Sequence, residues 1–251
     1  MQNNFTKDDY LRKTKDIFRL LNDFRKNPKS LANYLENLKK YLDRKNNVLS
    51  EPKKVQVQMV EGELVFNEAI SFLNGLGNLD PFILDERLCK SAMEHVMDIG
   101  PKGLLSYQSS DGTEPEERIA KYGNYIESLG ENIDFGPNDA MGVIISLALD
   151  DGESDRPHRE NLFKPEYKKI GIACGAHKTE FQMCVMDFAF AFLPLDSETE
   201  GSSIRNQRMT DDVGVISPGK KEIVNNNEKN NSGNSNNKGN VTMNNNNAVI
   251  Y

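Results

Sequence analysis

The sequence predicts an α+β fold, and three observations carry that reading. Apolar residues recur at helical spacing through the first hundred positions, turn chemistry follows, and two long strand-like apolar runs close the patterned part of the chain. A hydrophobic content of 37% over 251 residues is low for a chain packed throughout. The deficit sits at the end, where 13 asparagines fall between Asn225 and Asn247, a composition that cannot offset its own conformational entropy. The expected organisation is therefore a flexible start over 1–9, one domain over 10–195 and a disordered, low-complexity asparagine-rich tail over 196–251.

From Tyr10, the residues Ile17, Leu20, Leu21 and Phe24 form a helical stripe ending at Arg25-Lys26. Asn27-Pro28 supplies an N-cap and a first-turn proline for a second helix carrying Leu31, Leu35, Leu38 and Leu42. The polar stretch Asn46–Gln58, with Pro52, reads as a loop. A third helix spans Leu64 to Leu73 before Gly75 and Gly77, and a fourth runs from Asp85 through Leu88, Ala92 and Val96 to Gly100. Thr113 and Glu116 read as a capping box for a short helix to Tyr122, and Asn138 or Asp139 caps a helix through Leu149. The segment Asp150–His158 is charged and irregular. The runs from Ile170 and from Phe181, separated by His177-Lys-Thr-Glu, predict an antiparallel hairpin covered on both faces by helices.

Composition excludes several function classes. A net charge of −7 gives no basic footprint for nucleic acid, and the run Lys39–Arg44 reads as the solvated face of a helix. No apolar window is long enough to span a membrane, and the first residues lack the apolar core of a secretory signal, so a cytoplasmic protein is expected. In that setting Cys89, Cys174 and Cys184 read as reduced thiols, although Cys174 and Cys184 could face each other across the hairpin. His95 reads as a satisfied residue at the edge of the core, and His177 as an exposed turn residue.

Five segments stand in order: Leu21-Asn-Asp-Phe-Arg-Lys-Asn-Pro, His95-Val-Met-Asp-Ile-Gly, Ser106-Tyr-Gln-Ser-Ser-Asp-Gly, Gly130-Glu-Asn-Ile, and Asp150-Asp-Gly followed by His158-Arg-Glu-Asn-Leu-Phe. Together they resemble the CAP superfamily (cysteine-rich secretory, antigen five and pathogenesis-related one proteins), also called the SCP domain, over Leu20–Phe192. The resemblance implies a three-layer α/β/α sandwich with a small antiparallel sheet and an open cleft. That cleft commonly holds two histidines and two acidic residues, which in some members bind a divalent metal. Glu131 and His158 match one acid and one histidine of this set. Asp150 or Asp151 takes the second acidic place, and Tyr107 stands where the pattern commonly has the other histidine.

One imidazole and one carboxylate make either a general base with its orienter or half of a zinc site. They equally make a polar network that pins loops to the sheet, with Glu131 buried and bonded to His158 or to nearby amides. Tyrosine is a poor zinc ligand at neutral pH, so the expectation is no resident cofactor and at most weak zinc binding through His158 and Glu131. Three readings of function follow: a binding module for a lipid, sterol or other apolar ligand, a metal-dependent hydrolase, or a scaffold for a protein partner with the tail as tether.

Overall fold

The computed structural model describes residues 5–136 and 138–195, so the predicted disordered tail lies outside the described residues. Helix α1 (Lys7–Lys26) begins earlier than the sequence suggested. A reciprocal cap forms there: Asp9 N–H donates to the Thr6 hydroxyl at 3.2 Å and Thr6 N–H to the Asp9 carboxylate at 2.9 Å. Part of the expected flexible start is thus ordered. Helix α2 (Pro28–Leu38) keeps proline in its first turn, and a single 3-10 turn (Lys39–Tyr41) ends it. The basic run Lys39–Arg44 accordingly spans that turn, the short strand after it and the start of the next turn, not a helix face.

Leu42, expected on the second helix, instead starts β1 (Leu42–Asp43), and the stretch expected to be a loop supplies β2 (Val48–Leu49) and β3 (Val57–Gln58), which complete a small antiparallel sheet with it. Its strands are two residues long, too short for an alternation signal. Helix α3 (Glu63–Gly75) follows, then β4 (Ile83–Leu84) and α4 (Glu86–Ile99), with Asp85 capping α4 through the Arg87 N–H at 3.0 Å. Helix α5 (Pro115–Ala120) is capped by Glu114 with Glu117, one residue beyond the expected Thr113 and Glu116. Then come β5 (Asn124–Phe135), α6 (Ala140–Leu149) capped by Asp139, α7 (Pro157–Phe163), and the hairpin β6 (Lys169–His177) and β7 (Phe181–Leu193).

The main sheet has the order β4-β6-β7-β5. Three strands are antiparallel, and the short β4 joins β6 in parallel, which makes the sheet mixed at one edge. Alternation assigns the two faces. Ile170, Ile172 and Cys174 of β6 with Cys184, Met186 and Phe188 of β7 enter the core shared with α1, α2, α3 and α6. Ala173, Met183 and Val185 face Ala92, Val96 and Ile99 of α4. This is the α/β/α sandwich, its helical layers lying on opposite faces of one sheet. Glycine permits the close approach of α4: a Cβ on Gly171 would collide with the backbone of Leu88 and Cys89, and one on Gly175 with Val96.

The register sets Cys174 directly opposite Cys184, and the two are joined by a disulfide. The expectation of reduced thiols is corrected for these two, whose sulfurs lie on the same face of adjacent strands, while Cys89 is a free thiol. His177 also departs from expectation. It ends β6 buried, with Nε2 3.0 Å from the Leu104 carbonyl and Nδ1 accepting the Glu180 N–H at 3.1 Å.

Candidate functional site

A cleft of about 450 Å³ opens beside the edge strand β5, where the loop after α4, the start of α5 and the α6–α7 link converge. Its walls include Tyr107, Glu114, Ile119, Glu131, Glu153 and His158. The link that presents His158 is built by left-handed turns. Asp150 closes α6 at φ 56° and Arg156 opens α7 at φ 52°. Aspartate tolerates that conformation through its short polar side chain. The reversal turns the Asp150 carboxylate back onto α7, where it accepts the backbone N–H groups of His158 at 2.8 Å and Arg159 at 3.1 Å.

The same carboxylate lies 2.6 Å from Nδ1 of His158. A carboxylate only accepts, so Nδ1 carries the ring proton and Nε2 presents its lone pair. That lone pair faces the Tyr107 hydroxyl at 2.5 Å. The two rings are nearly parallel, with 16° between their planes. Burial lifts the Tyr107 phenol above its ordinary range, and the charges of Glu131, Asp150 and Glu153 add to that.

Helix α3 and the turn just before it brace this arrangement from behind. Arg156 pairs with Glu61 at 2.6 Å and Glu68 at 2.7 Å, and Arg159 reaches Glu68 at 2.8 Å while donating to the carbonyls of Ala148 and Leu149. Asp151, a candidate for the second acidic place, accepts the N–H groups of Val60 at 2.6 Å and Glu61 at 2.8 Å on this outer side. Consecutive residues of a turn point apart, so Asp150 supplies the carboxylate that holds His158 and Asp151 does not.

Glu131 is buried, as expected, but its partner is Arg118 of α5 rather than His158. Arg118 also donates to the Tyr107 carbonyl at 3.2 Å. Across the β5–β7 register Glu131 stands opposite Asp187, which is fully buried near Ser91. Burial and then the Glu131 charge push the Asp187 carboxyl well above its ordinary range. His95 lies beside this cluster with Nε2 3.0 Å from the Ser106 carbonyl, while its Nδ1 has no hydrogen-bond partner among the described residues. It is buried rather than at the core edge, and only half satisfied; desolvation, then Arg118, holds its pKa down. The asparagines of the two motifs form their own bridge: Asn161 donates to Asn132 at 2.9 Å, and Asn132 to the His158 carbonyl at 2.9 Å.

The residues named as metal ligands do not share an open position. Both ring nitrogens of His158 are engaged, and Glu131 faces Arg118 and Asp187. Among the described residues no group of three or more His, Cys, Asp or Glu side chains is arranged to hold an ion.

A second concavity had no sequence signal. The groove is lined by Leu38 of α2, by Leu49, Val55, Val57 and Met59 around β2 and β3, and by Ile145 of α6. It encloses about 180 Å³, with Lys54 paired to Asp139 at its rim. Its lining comes from three separated segments, one of them expected to be a polar loop.

Among the described residues no helix is long and apolar enough to cross a membrane. The chain is 29% identical over 94 residues to the uncharacterized protein YkwD of Bacillus subtilis (strain 168), covering 38% of this chain and 35% of that one. It thus spans about a third of that curated relative. Similar solved structures include an outer surface protein from Borrelia burgdorferi, with TM-score 0.39 and 21% identity over 53% of this chain and 92% of that one. Another is an extracellular protein containing a SCP domain from Bacillus anthracis str. Ames, with TM-score 0.38 and 18% identity over 51% and 39%. The model of the cysteine-rich secretory protein family, CAP, matches residues 18–188, and with the sandwich, the motif order and the cleft already in place, the chain belongs to that family.

Proposed function

We propose that the chain is a binding module whose groove beside α2, β2–β3 and α6 takes the hydrocarbon chain of a lipid-like amphiphile. The observation that carries this reading is the composition of the groove: Leu38, Leu49, Met59 and Ile145 bury most of their surface along its floor, while Val55 is 67% exposed at its mouth. An apolar concavity with a few polar groups at one end is the general form of a small-ligand site. Lys54 and Asp139 at the rim give an amphiphile a place for its polar head.

Covering the exposed valine and filling the groove supplies affinity at about 25 cal/mol per Å² of apolar surface removed from water. The test is displacement of an environment-sensitive fluorescent fatty acid from the full chain. Saturable binding lost in Ile145→Glu and weakened in Val55→Ser is the expected result. Binding unchanged by both substitutions would place the ligand elsewhere.

A further inference from the structure

We infer that Tyr107 is a base-assisted nucleophile, activated by His158 and Asp150, that accepts an acyl group from a carboxylic ester bound in the polar cleft. The groove and its ligand play no part in this. The geometry is a continuous relay: Asp150 Oδ1 to His158 Nδ1 at 2.6 Å, and His158 Nε2 to the Tyr107 hydroxyl at 2.5 Å. Nucleophile, base and orienter stand within hydrogen-bond reach of one another in the order that base-assisted attack requires. Each member is fixed independently of the relay. Asp150 is held by two backbone N–H groups of α7, and His158 by the Asn132 bond to its carbonyl. Tyr107 is held by Arg118 on its own carbonyl and by His95 on the carbonyl of Ser106. The Tyr107 ring and His158 both line the cleft, so an ester can reach the phenol oxygen.

The phenol is held above its ordinary range, so it does not stand as a phenolate and needs a base at the moment of attack. In the step, the Tyr107 oxygen bonds to the ester carbonyl carbon while its proton passes to Nε2 of His158. The bond from that carbon to the leaving alkoxide breaks, and the alkoxide takes the proton from Nε2 as an alcohol. Tyr107 is left as an aryl ester. A water molecule then attacks the same carbonyl carbon, giving a proton to Nε2 of His158; the bond from that carbon to the Tyr107 oxygen breaks, the carboxylic acid leaves, and the phenolate takes the proton back from Nε2, which restores the phenol. Glu114, Glu116 and Glu153 rim the cleft, which favours acyl groups that are neutral or cationic over carboxylate-bearing ones.

The relay is read with phenylmethanesulfonyl fluoride, whose sulfur takes the tyrosine oxygen and releases fluoride, and with p-nitrophenyl acetate as the ester, both on the full chain. Mass spectrometry of peptides should place the sulfonyl label on Tyr107 at least about tenfold faster than on any other tyrosine. Nitrophenol release should be lost in Tyr107→Phe. In His158→Gln, which leaves the Asp150 bonds to the α7 backbone in place, both rates should fall about a hundredfold, the ordinary contribution of a positioned general base. A thermal melt of each variant shows that it is folded. Labelling spread evenly over the tyrosines, or a His158→Gln chain that reacts as fast as the parent, overturns the assignment.

Discussion

The polar cleft and the apolar groove are built on opposite principles. Behind the cleft wall the charged groups are tied to partners from other elements: Asp150 to α7, Arg118 to β5, Arg156 and Arg159 to α3. In the groove the lining is aliphatic and comes partly from strands of two residues, held by a few backbone bonds. Paired polar groups tolerate little change because an orphaned partner keeps its desolvation cost. Aliphatic linings tolerate substitution and adapt to what they hold. The two sites therefore respond differently to mutation, and that difference is measurable.

The largest effect is expected at the buried pair. Glu131→Ala leaves Arg118, which has no exposed side-chain surface, without its carboxylate, and breaking such a pair costs about 3–5 kcal/mol. Urea denaturation measures this; a loss below about 1 kcal/mol would show that Arg118 re-pairs and that the cleft is as adaptable as the groove. Val55→Ser in the groove should change stability by less than about 0.5 kcal/mol, since Val55 is mostly exposed.

A pH series sharpens the comparison next. Burial pushes Asp134 up to about 7 and Asp187 well above the ordinary carboxylate value. The unfolded chain releases both protons near about pH 4, whereas the folded chain keeps them. Above that point the folded state binds more protons than the unfolded one, so stability falls as pH rises, through about pH 7 for Asp134. Urea midpoints measured between about pH 5 and about pH 8 should decline, and Asp134→Asn should flatten the decline. A midpoint that rises over this interval would mean that other groups dominate.

Zinc gives a smaller effect. Isothermal titration should find weak or no heat with the parent chain, because His158 already spends both ring nitrogens. Tyr107→His should raise affinity by supplying a second imidazole, more so at higher pH as the rings lose protons. Tight binding by the parent that His158→Ala abolishes would refute this. In the cleft itself, Tyr107→Phe removes one hydrogen bond from a half-exposed ring and should cost no more than about 1 kcal/mol of stability.

The sequence by itself determined what depends on neighbours along the chain. Periodicity located α1 through α4 and α6, and the alternating apolar runs located the β6–β7 hairpin with both faces covered. The motif order identified Glu131 and His158 as inhabitants of one region. Short elements escaped: β1 to β3 give two-residue strands, β4 only two more, and β5 begins in a polar stretch whose partner, β7, lies some fifty residues away. Pairing is what makes those residues strands, and pairing is a tertiary event.

Tertiary structure alone decided the partners. Glu131 bonds Arg118 because α5 packs on β5, and Asp150 rather than Asp151 holds His158 because a left-handed turn reverses the chain between them. Cys174 met Cys184 because the hairpin register set them face to face. Tyr107 gained a chemical identity only when the loop after α4 carried its hydroxyl to His158. Hydrogen bonds and ion pairs act over about 3 Å, and two residues separated by 51 positions reach that distance only through the fold that brings them together.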